Sequence, residues 1–167
     1  MHKQKQQVMV EVRKLFTDFL ENKGQRKTGE RFMILEKLYE RNDHIDAEAL
    51  YNLINKQQHN VSRATVYNTL ELLVESGLVM RHQFGQHYAE YEKAYGYRQH
   101  DHIICTECKK VVEFCDPRIQ QIKTKMGELL EFNITRHELH LYGLCADCEK
   151  SKKESVAENV KEKVTAV

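Results

Sequence analysis

Tryptophan is missing from the 167 residues, proline occurs once and glycine only seven times. So little proline and glycine excludes a collagen-like or low-complexity chain, and 41% hydrophobic content argues against a wholly disordered one. No apolar run approaches the ~18 residues of a membrane span. The first residues, Met-His-Lys-Gln-Lys, lead into a polar helix-like stretch that lacks the apolar core of a signal peptide. The expectation is a soluble, cytoplasmic protein with no membrane partner. An excess of charge of either sign is also missing, with 26 Lys and Arg against 25 Asp and Glu. Residues 1–86 hold 13 basic and 11 acidic side chains and the remainder 13 and 14, so neither half is strongly basic. Bulk charge therefore gives no footprint of nucleic-acid binding, and such a function must rest on motifs. A mass of 19.8 kDa allows one large domain or two small ones.

What the chain does have is cysteine and histidine in pattern. Four of the five cysteines form two Cys-x-x-Cys pairs, Cys105/Cys108 and Cys145/Cys148, and Cys115 stands alone. Without a secretion signal, such pairs read as metal ligands before they read as a disulfide framework. Nine histidines include His100 and His102, just ahead of the first pair.

Hydrophobic periodicity divides the chain near residue 90. Val8, Val12, Leu15, Phe16 and Phe19 fall at helical spacing over 5–22, and Gly24 stops that helix. Thr28, Asp46 and Ser62 cap three more helices. Their inner stripes are Phe32, Leu35, Leu38 and Tyr39, then Ala47, Leu50, Leu53 and Ile54, then Val66, Leu70 and Leu73, with Gly77 as the final stop. Strand-like runs over 78–82 and 87–91 flank a Phe84-Gly85-Gln86 turn signal. Helices followed by a small hairpin describe a winged helix-turn-helix, or a helical domain with an appended hairpin, because fold alone does not fix function.

Residues 93–99 lack periodicity and suggest a hinge. Beyond them, 102–105 and 110–114 read as two strands joined by a Cys-x-x-Cys knuckle. Asp116-Pro117 opens a helix with Ile119, Ile122, Met126, Leu129 and Leu130 on one side. A strand over 134–142 alternates His137, Leu139 and Leu141 onto one face. Residues 149–167, rich in Lys, Glu, Ser and Ala, read as a solvated tail with some helix. The expected domains are 1–91, a hinge over 92–99, 100–148 and the tail.

The four paired cysteines can close a tetrahedral zinc site at Zn–S distances of about 2.3 Å. Four protein ligands leave no position for water, so such a site is structural. A redox Cys-x-x-Cys is the competing reading; it favours one pair at a helix N-terminus, and here both pairs follow strand-like runs. His100, His102 and Glu113 form a second set, with Asp101 on the opposite face of an extended strand. Nitrogen and oxygen donors of this kind suit an exchangeable iron, zinc, manganese or cobalt ion. Polar surface residues beside a zinc knuckle remain the alternative at this point.

Four segments together resemble the ferric uptake regulator (Fur) family. They are His-Asp-His-Ile-Ile-Cys-Thr-Glu-Cys (100–108), Val-Val-Glu-Phe (111–114), Leu-Tyr-Gly-Leu-Cys-Ala-Asp-Cys (141–148) and Ser-Arg-Ala-Thr-Val-Tyr-Asn-Thr-Leu (62–70). The likeness runs from about Arg26 to Cys148. It implies an α+β fold, with an N-terminal winged helix-turn-helix domain and a small α/β dimerisation domain that holds the four-cysteine zinc site. It implies a regulatory metal site of His44, Glu92, His100, His102 and Glu113, with Glu90 as the alternative to Glu92. Ligands drawn from both domains would let one ion fix their relative orientation. For DNA, the likeness implies that the helix from Ser62 enters the major groove with Arg63, Thr65, Tyr67 and Asn68, while Arg26 and Lys27 lie by the minor groove.

The chain also departs from the family pattern. A third site common in the family keeps Asp101 and His137 here, but Gln99 and Gln120 replace a histidine and a glutamate, so it is expected to be degraded. Asn68 stands where many iron-type members have arginine, and Glu30 where proline is common. The implied function is a homodimeric repressor on dyad-symmetric double-stranded DNA, responsive to Fe2+, with Zn2+ or Mn2+ as substitutes. Glu113 and Glu92 favour iron over the peroxide-sensing branch, which generally has aspartates there; 64–70 with 75–79 look more like that branch. A zinc-sensing member is a further alternative. A zinc hydrolase or deaminase is disfavoured, since neither His-Glu-x-x-His nor a His-x-Glu before the Cys-x-x-Cys occurs. An interaction module dimerised by zinc is the remaining non-enzymatic alternative.

Overall fold

The computed structural model describes residues 2–57, 59–84, 88–97 and 99–154. They form two compact units that divide between residues 97 and 99. The first begins with helices α1 (His2–Asn22) and α2 (Gly29–Tyr39), then a short strand β1 (Ile45–Asp46). Helices α3 (Ala47–Lys56) and α4 (Arg63–Glu75) follow, then strands β2 (Val79–His82) and β3 (Glu90–Lys93). The three caps read from sequence are made. The Thr28, Asp46 and Ser62 side chains accept from the N–H groups of Arg31, Ala49 and Thr65. Each thereby satisfies one otherwise orphaned donor of a first helical turn.

Val12, Phe16 and Leu20 of α1 meet Ile34, Leu35 and Leu38 of α2, Leu50 and Ile54 of α3, and Val66, Leu70 and Leu73 of α4 in one core. The apolar stripe of α1 is rotated from the expected one. Leu15 is 41% exposed, and Leu20, four residues beyond Phe16, takes the inner position instead. Phe32 and Leu53 are half-buried at the core margin.

The three strands form an antiparallel sheet in the order β1-β3-β2, a wing packed beside the helices. Its second strand starts three residues later than expected, because β1 claims Tyr91 and Glu90 as partners for Ile45 and Asp46. Gly85, Gln86 and His87 of the expected turn and strand lie outside the described residues. Phe84, expected in the turn, is buried. Lys93, expected in the hinge, closes β3, and its ammonium donates to Arg41 O at 2.6 Å and Asn42 Oδ1 at 2.5 Å. The next residues also belong to this unit. The Tyr95 N–H donates to the Tyr39 hydroxyl at 3.3 Å, and its own hydroxyl donates to Glu11 at 3.0 Å. As far as Tyr95, the expected hinge over 92–99 is therefore held on the first unit through these contacts; its Arg98 lies outside the described residues.

The second unit is a three-stranded sheet, β5 (Val111–Phe114), β4 (Asp101–Cys105) and β6 (His140–Gly143), with helix α5 (Pro117–Leu130) between β5 and β6 in sequence. Asp116 caps α5 and Pro117 sits in its first turn, as the sequence predicts. The strand expected over 134–142 is confined to His140–Gly143, paired parallel to β4. Side chains take the backbone groups before it: Gln99 donates to His137 O at 2.8 Å, and Asp101 accepts the Leu139 N–H at 3.2 Å. Those groups are thus engaged without a ladder. The expected tail over 149–167 is helical as far as 154, in a helix that starts at 146, and 155–167 lie outside the described residues.

Candidate metal centres and nucleic-acid interface

β4 ends at Cys105, and the tight turn after it returns Cys108 beside it. The Cys105 N–H donates to Lys110 O, and Lys109 takes a left-handed φ of 62° to close the knuckle. β6 runs parallel to β4 and delivers Cys145 to the same end, with Cys148 in the first turn of the helix over 146–154. Both pairs follow strands, as the sequence predicts, and the second pair also opens a helix, the position that the redox reading favours. The four sulfurs nonetheless converge, all within 4.8 Å of one another. Cys108 Sγ lies 3.7 Å from Cys145 Sγ. A tetrahedron with 2.3 Å Zn–S bonds has edges of about 3.8 Å, so the set fits a closed thiolate site. Backbone N–H groups, that of Cys145 foremost, hold the Cys105 thiol down to about 6, while hydrogen bonds among the sulfurs push Cys148 up to about 12. Cys115 is exposed and apart from this group, donating to Gln99 O at 3.3 Å.

On the sheet of the second unit, His102 pairs in register with Glu113 on one side and His140 on the other. His100 Nε2 approaches Glu113 at 3.7 Å, and the rings of His100 and His102 meet edge-on at 4.8 Å. Both histidines are buried. The opposite face of the same strands aligns Ile103, Val112 and Leu141 in register, and these are 42%, 47% and 43% exposed. The alternation thus separates a polar donor face from an apolar one.

In the first unit, β1 pairing places His44 beside β3. His44 Nε2 lies 3.7 Å from Glu92 Oε2, and Glu92 is only 4% exposed. Glu90, the alternative, is half-buried and opposite His82 in the ladder. Burial foremost, and then the Asp46 carboxylate, raise its pKa. Sequence reasoning missed His82. Its Nε2 is 2.6 Å from Glu92 Oε1, and its ring stacks on Phe84 at 5.2 Å. The only sequence signal for it was a histidine ending a strand, which does not tell which face it takes. His140 beside His102 was missed for the same reason.

The remnant of the third set is also assembled. His137 Nε2 lies 3.3 Å from Asp101 Oδ1, and the Gln99 amide caps His137 Nδ1 at 2.9 Å. The amide N–H takes the lone pair of that nitrogen, which a metal ion would need.

The outward face of α4 carries Arg63, Tyr67 and Asn68, with Tyr67 46% exposed. Arg26, Thr65 and Asn68 line one cleft of about 410 Å³ together with Arg31, which the sequence reading did not single out. Lys27 pairs with Glu21, and Thr65 is hydrogen-bonded to Ser62 at 2.9 Å. Arg63 is not simply solvated. It makes a forked ion pair with Glu48, at 3.0 Å from Nε and 2.7 Å from Nη2, and lies over the Tyr51 ring at 4.5 Å. Each partner stabilises the other's charge, lowering the Glu48 pKa and raising that of Arg63.

Among the described residues no helix is long and apolar enough to cross a membrane. Residues 22–142 match the Ferric uptake regulator family. A ferric uptake regulation protein of Campylobacter jejuni is 37% identical over 139 residues, covering 82% of this chain and 88% of its own. The peroxide-responsive repressor PerR of Staphylococcus saprophyticus is 32% identical over 130 residues, covering 78% and 86%. The ferric uptake regulator from Pseudomonas aeruginosa, solved with manganese, has a TM-score of 0.69 and 30% identity over 78% of this chain and 97% of that one. The match runs from the end of α1 through the rest of the winged unit, the His100–His102 segment and the first Cys-x-x-Cys pair as far as Tyr142 in β6, and the chain therefore belongs to the ferric uptake regulator family of transcriptional regulators.

Proposed function

We propose that the chain is a homodimeric repressor that binds dyad-symmetric operators on double-stranded DNA when loaded with Fe2+. The observation that carries this reading is the presence of donor groups of two chemistries. A thiolate cage suits permanent zinc. Imidazole–carboxylate groups, His44 with Glu92 and His100, His102 with Glu113, suit an exchangeable ion. Cys105, Cys108, Cys145 and Cys148 would hold Zn2+ and stabilise the second unit. The histidines and glutamates would hold Fe2+, or Mn2+ or Zn2+ in its place, and would couple the ion to DNA affinity. Arg26, Lys27, Arg63, Thr65, Tyr67 and Asn68 would contact the operator, with Asn68 suited to an adenine edge. The exposed row Ile103, Val112 and Leu141, and the unburied apolar residues of α5, offer a surface for a second copy of the chain. The work is non-enzymatic and cytoplasmic in this reading.

Anaerobic titration of Fe2+ against operator binding tests it. Metal should raise DNA affinity by a factor of about five to 150, for a coupling of about 1–3 kcal/mol. His102→Ala should remove that rise while the chain stays folded. Equal affinity of metal-free and metal-loaded protein for DNA would overturn the switch.

Peroxide sensing is the second reading, favoured by the PerR relative and by the sequence of α4. Brief micromolar peroxide on the iron-loaded protein separates the two. Iron sensing predicts unmodified histidines in peptides carrying His44, His100 and His102. Rapid gain of one oxygen on a histidine, with loss of DNA binding, would establish the peroxide reading instead.

A further inference from the structure

We propose that His82 is a metal ligand, and that the winged-helix unit by itself carries a three-donor site of His44, His82 and Glu92 for a divalent transition-metal ion. The inference rests on the regulatory-metal reading above but adds a residue and a location that the resemblance does not imply.

The geometry is local to one sheet. β3 lies between β1 and β2, so Glu92 is flanked on one side by the residue preceding β1, His44, and on the other by the end of β2, His82. One ligand atom from each of His44, His82 and Glu92 lies within 4.8 Å of the others. The side chains of His44, His82 and Glu92 are 10%, 2% and 4% exposed. Phe84 shields the group, stacked on His82 with ring planes 7° apart and meeting His44 edge-on at 5.3 Å.

A buried carboxylate is costly unless it is paired or holds a metal. A purely structural pairing needs only one histidine. Here Glu92 meets one histidine with each oxygen: Oε1 lies 2.6 Å from His82 and Oε2 3.7 Å from His44. Two imidazoles and one carboxylate on one side of an ion is the donor set that holds ferrous iron with further positions open. The winged unit therefore holds a donor set that can bind an ion without donors from the second unit. Replacing oxygen donors by a second imidazole also shifts preference from manganese toward iron, cobalt and zinc.

The test uses the full chain with its zinc in place and Co2+ as the probe. In a His100→Ala/His102→Ala/Glu113→Ala variant, one Co2+ per chain beyond the zinc should still bind, with a visible absorption band. Its proton NMR spectrum should show paramagnetically shifted signals from two imidazole rings. Adding His82→Gln, which keeps an N–H to donate to Glu92 Oε1, should preserve the fold and weaken Co2+ binding at least tenfold. Unchanged Co2+ affinity in the His82→Gln variant, or shifted signals from a single ring, would reduce His82 to a positioning partner of Glu92 and overturn the inference. A triple variant that binds no Co2+ beyond its zinc, while the unaltered chain does, overturns the inference and leaves the proposed function standing. An unaltered chain that binds none overturns both.

Discussion

Arg63 shows at the residue scale how a side chain assigned to DNA can already be engaged in the free protein. Its forked pair with Glu48 and its position over Tyr51 fix the guanidinium, and both charges are more than 40% exposed. In water such a pair contributes little to stability, so its consequence lies in binding. A phosphate that approaches Arg63 must displace Glu48 or meet its negative charge. Glu48→Gln should therefore tighten operator binding several-fold at low salt. It should also steepen the dependence of log K on log salt by about one unit, the effect of one more cation neutralising phosphate. Fluorescence anisotropy at several salt concentrations reads both quantities. Residue identity was legible in the sequence where spacing alone set proximity: two-residue loops force each cysteine pair together whatever the rest of the chain does. Glu92 and His82 were harder. Their meeting depends on β2 and β3 being neighbours in one register, information that neither strand carries by itself.

The caps and stops of the helices were legible as elements because they act within four residues, and Thr28, Asp46, Ser62 and Asp116 all cap as read. Strand limits were less so. β3 runs to Lys93 because β2 pairs with it as far as Val79, and in the run before β6 the side chains of Gln99 and Asp101 bind His137 O and the Leu139 N–H, leaving only Leu139 O to accept from His102 of β4. The segment after β3 was read as a hinge for lack of periodicity, yet it is pinned by Tyr95 and by Gly96. Gly96 has a φ of 70°, and a Cβ there would stand 3.1 Å from Val8 Cγ1 of α1. Gly96→Ala should cost about 1–2 kcal/mol from the left-handed backbone, plus what Val8 loses by shifting. A lowered denaturation midpoint, with β3 secondary structure retained, is the expected result. The sheet of the second unit makes a separate prediction. Leu141→Glu puts a charge in the exposed apolar row with Ile103 and Val112, where the neighbouring residues cannot satisfy it. The variant should elute as a folded monomer in size exclusion with light scattering, and a persisting dimer would move the interface elsewhere.

For the whole molecule, the proposed function assigns stability to one kind of donor set and regulation to the other, and removing each should have different consequences. Within the second unit, among the described residues, α5 buries no side chain, and only Ile104 and Cys105 are buried apolar residues of the sheet. So small a core supplies little free energy on its own. Binding zinc to four thiolates in a small module contributes about 10–16 kcal/mol, enough to decide whether such a unit folds. Cys105→Ser removes one of the four converging sulfurs. The expected outcome is protease sensitivity confined to residues beyond about 99, loss of the dimer, and a winged unit that still melts cooperatively. Cys115→Ser serves as the control, since that thiol contacts only the Gln99 carbonyl among the described hydrogen bonds and should keep one zinc per chain. Strong chelation of the unaltered protein should reproduce the Cys105→Ser phenotype, whereas mild removal of the exchangeable ion should leave both units folded and abolish only the metal-dependent gain in DNA affinity. Limited proteolysis and zinc stoichiometry on the same samples separate the two losses. A Cys105→Ser chain that remained dimeric and protease-resistant would mean that packing, not zinc, holds the second unit together.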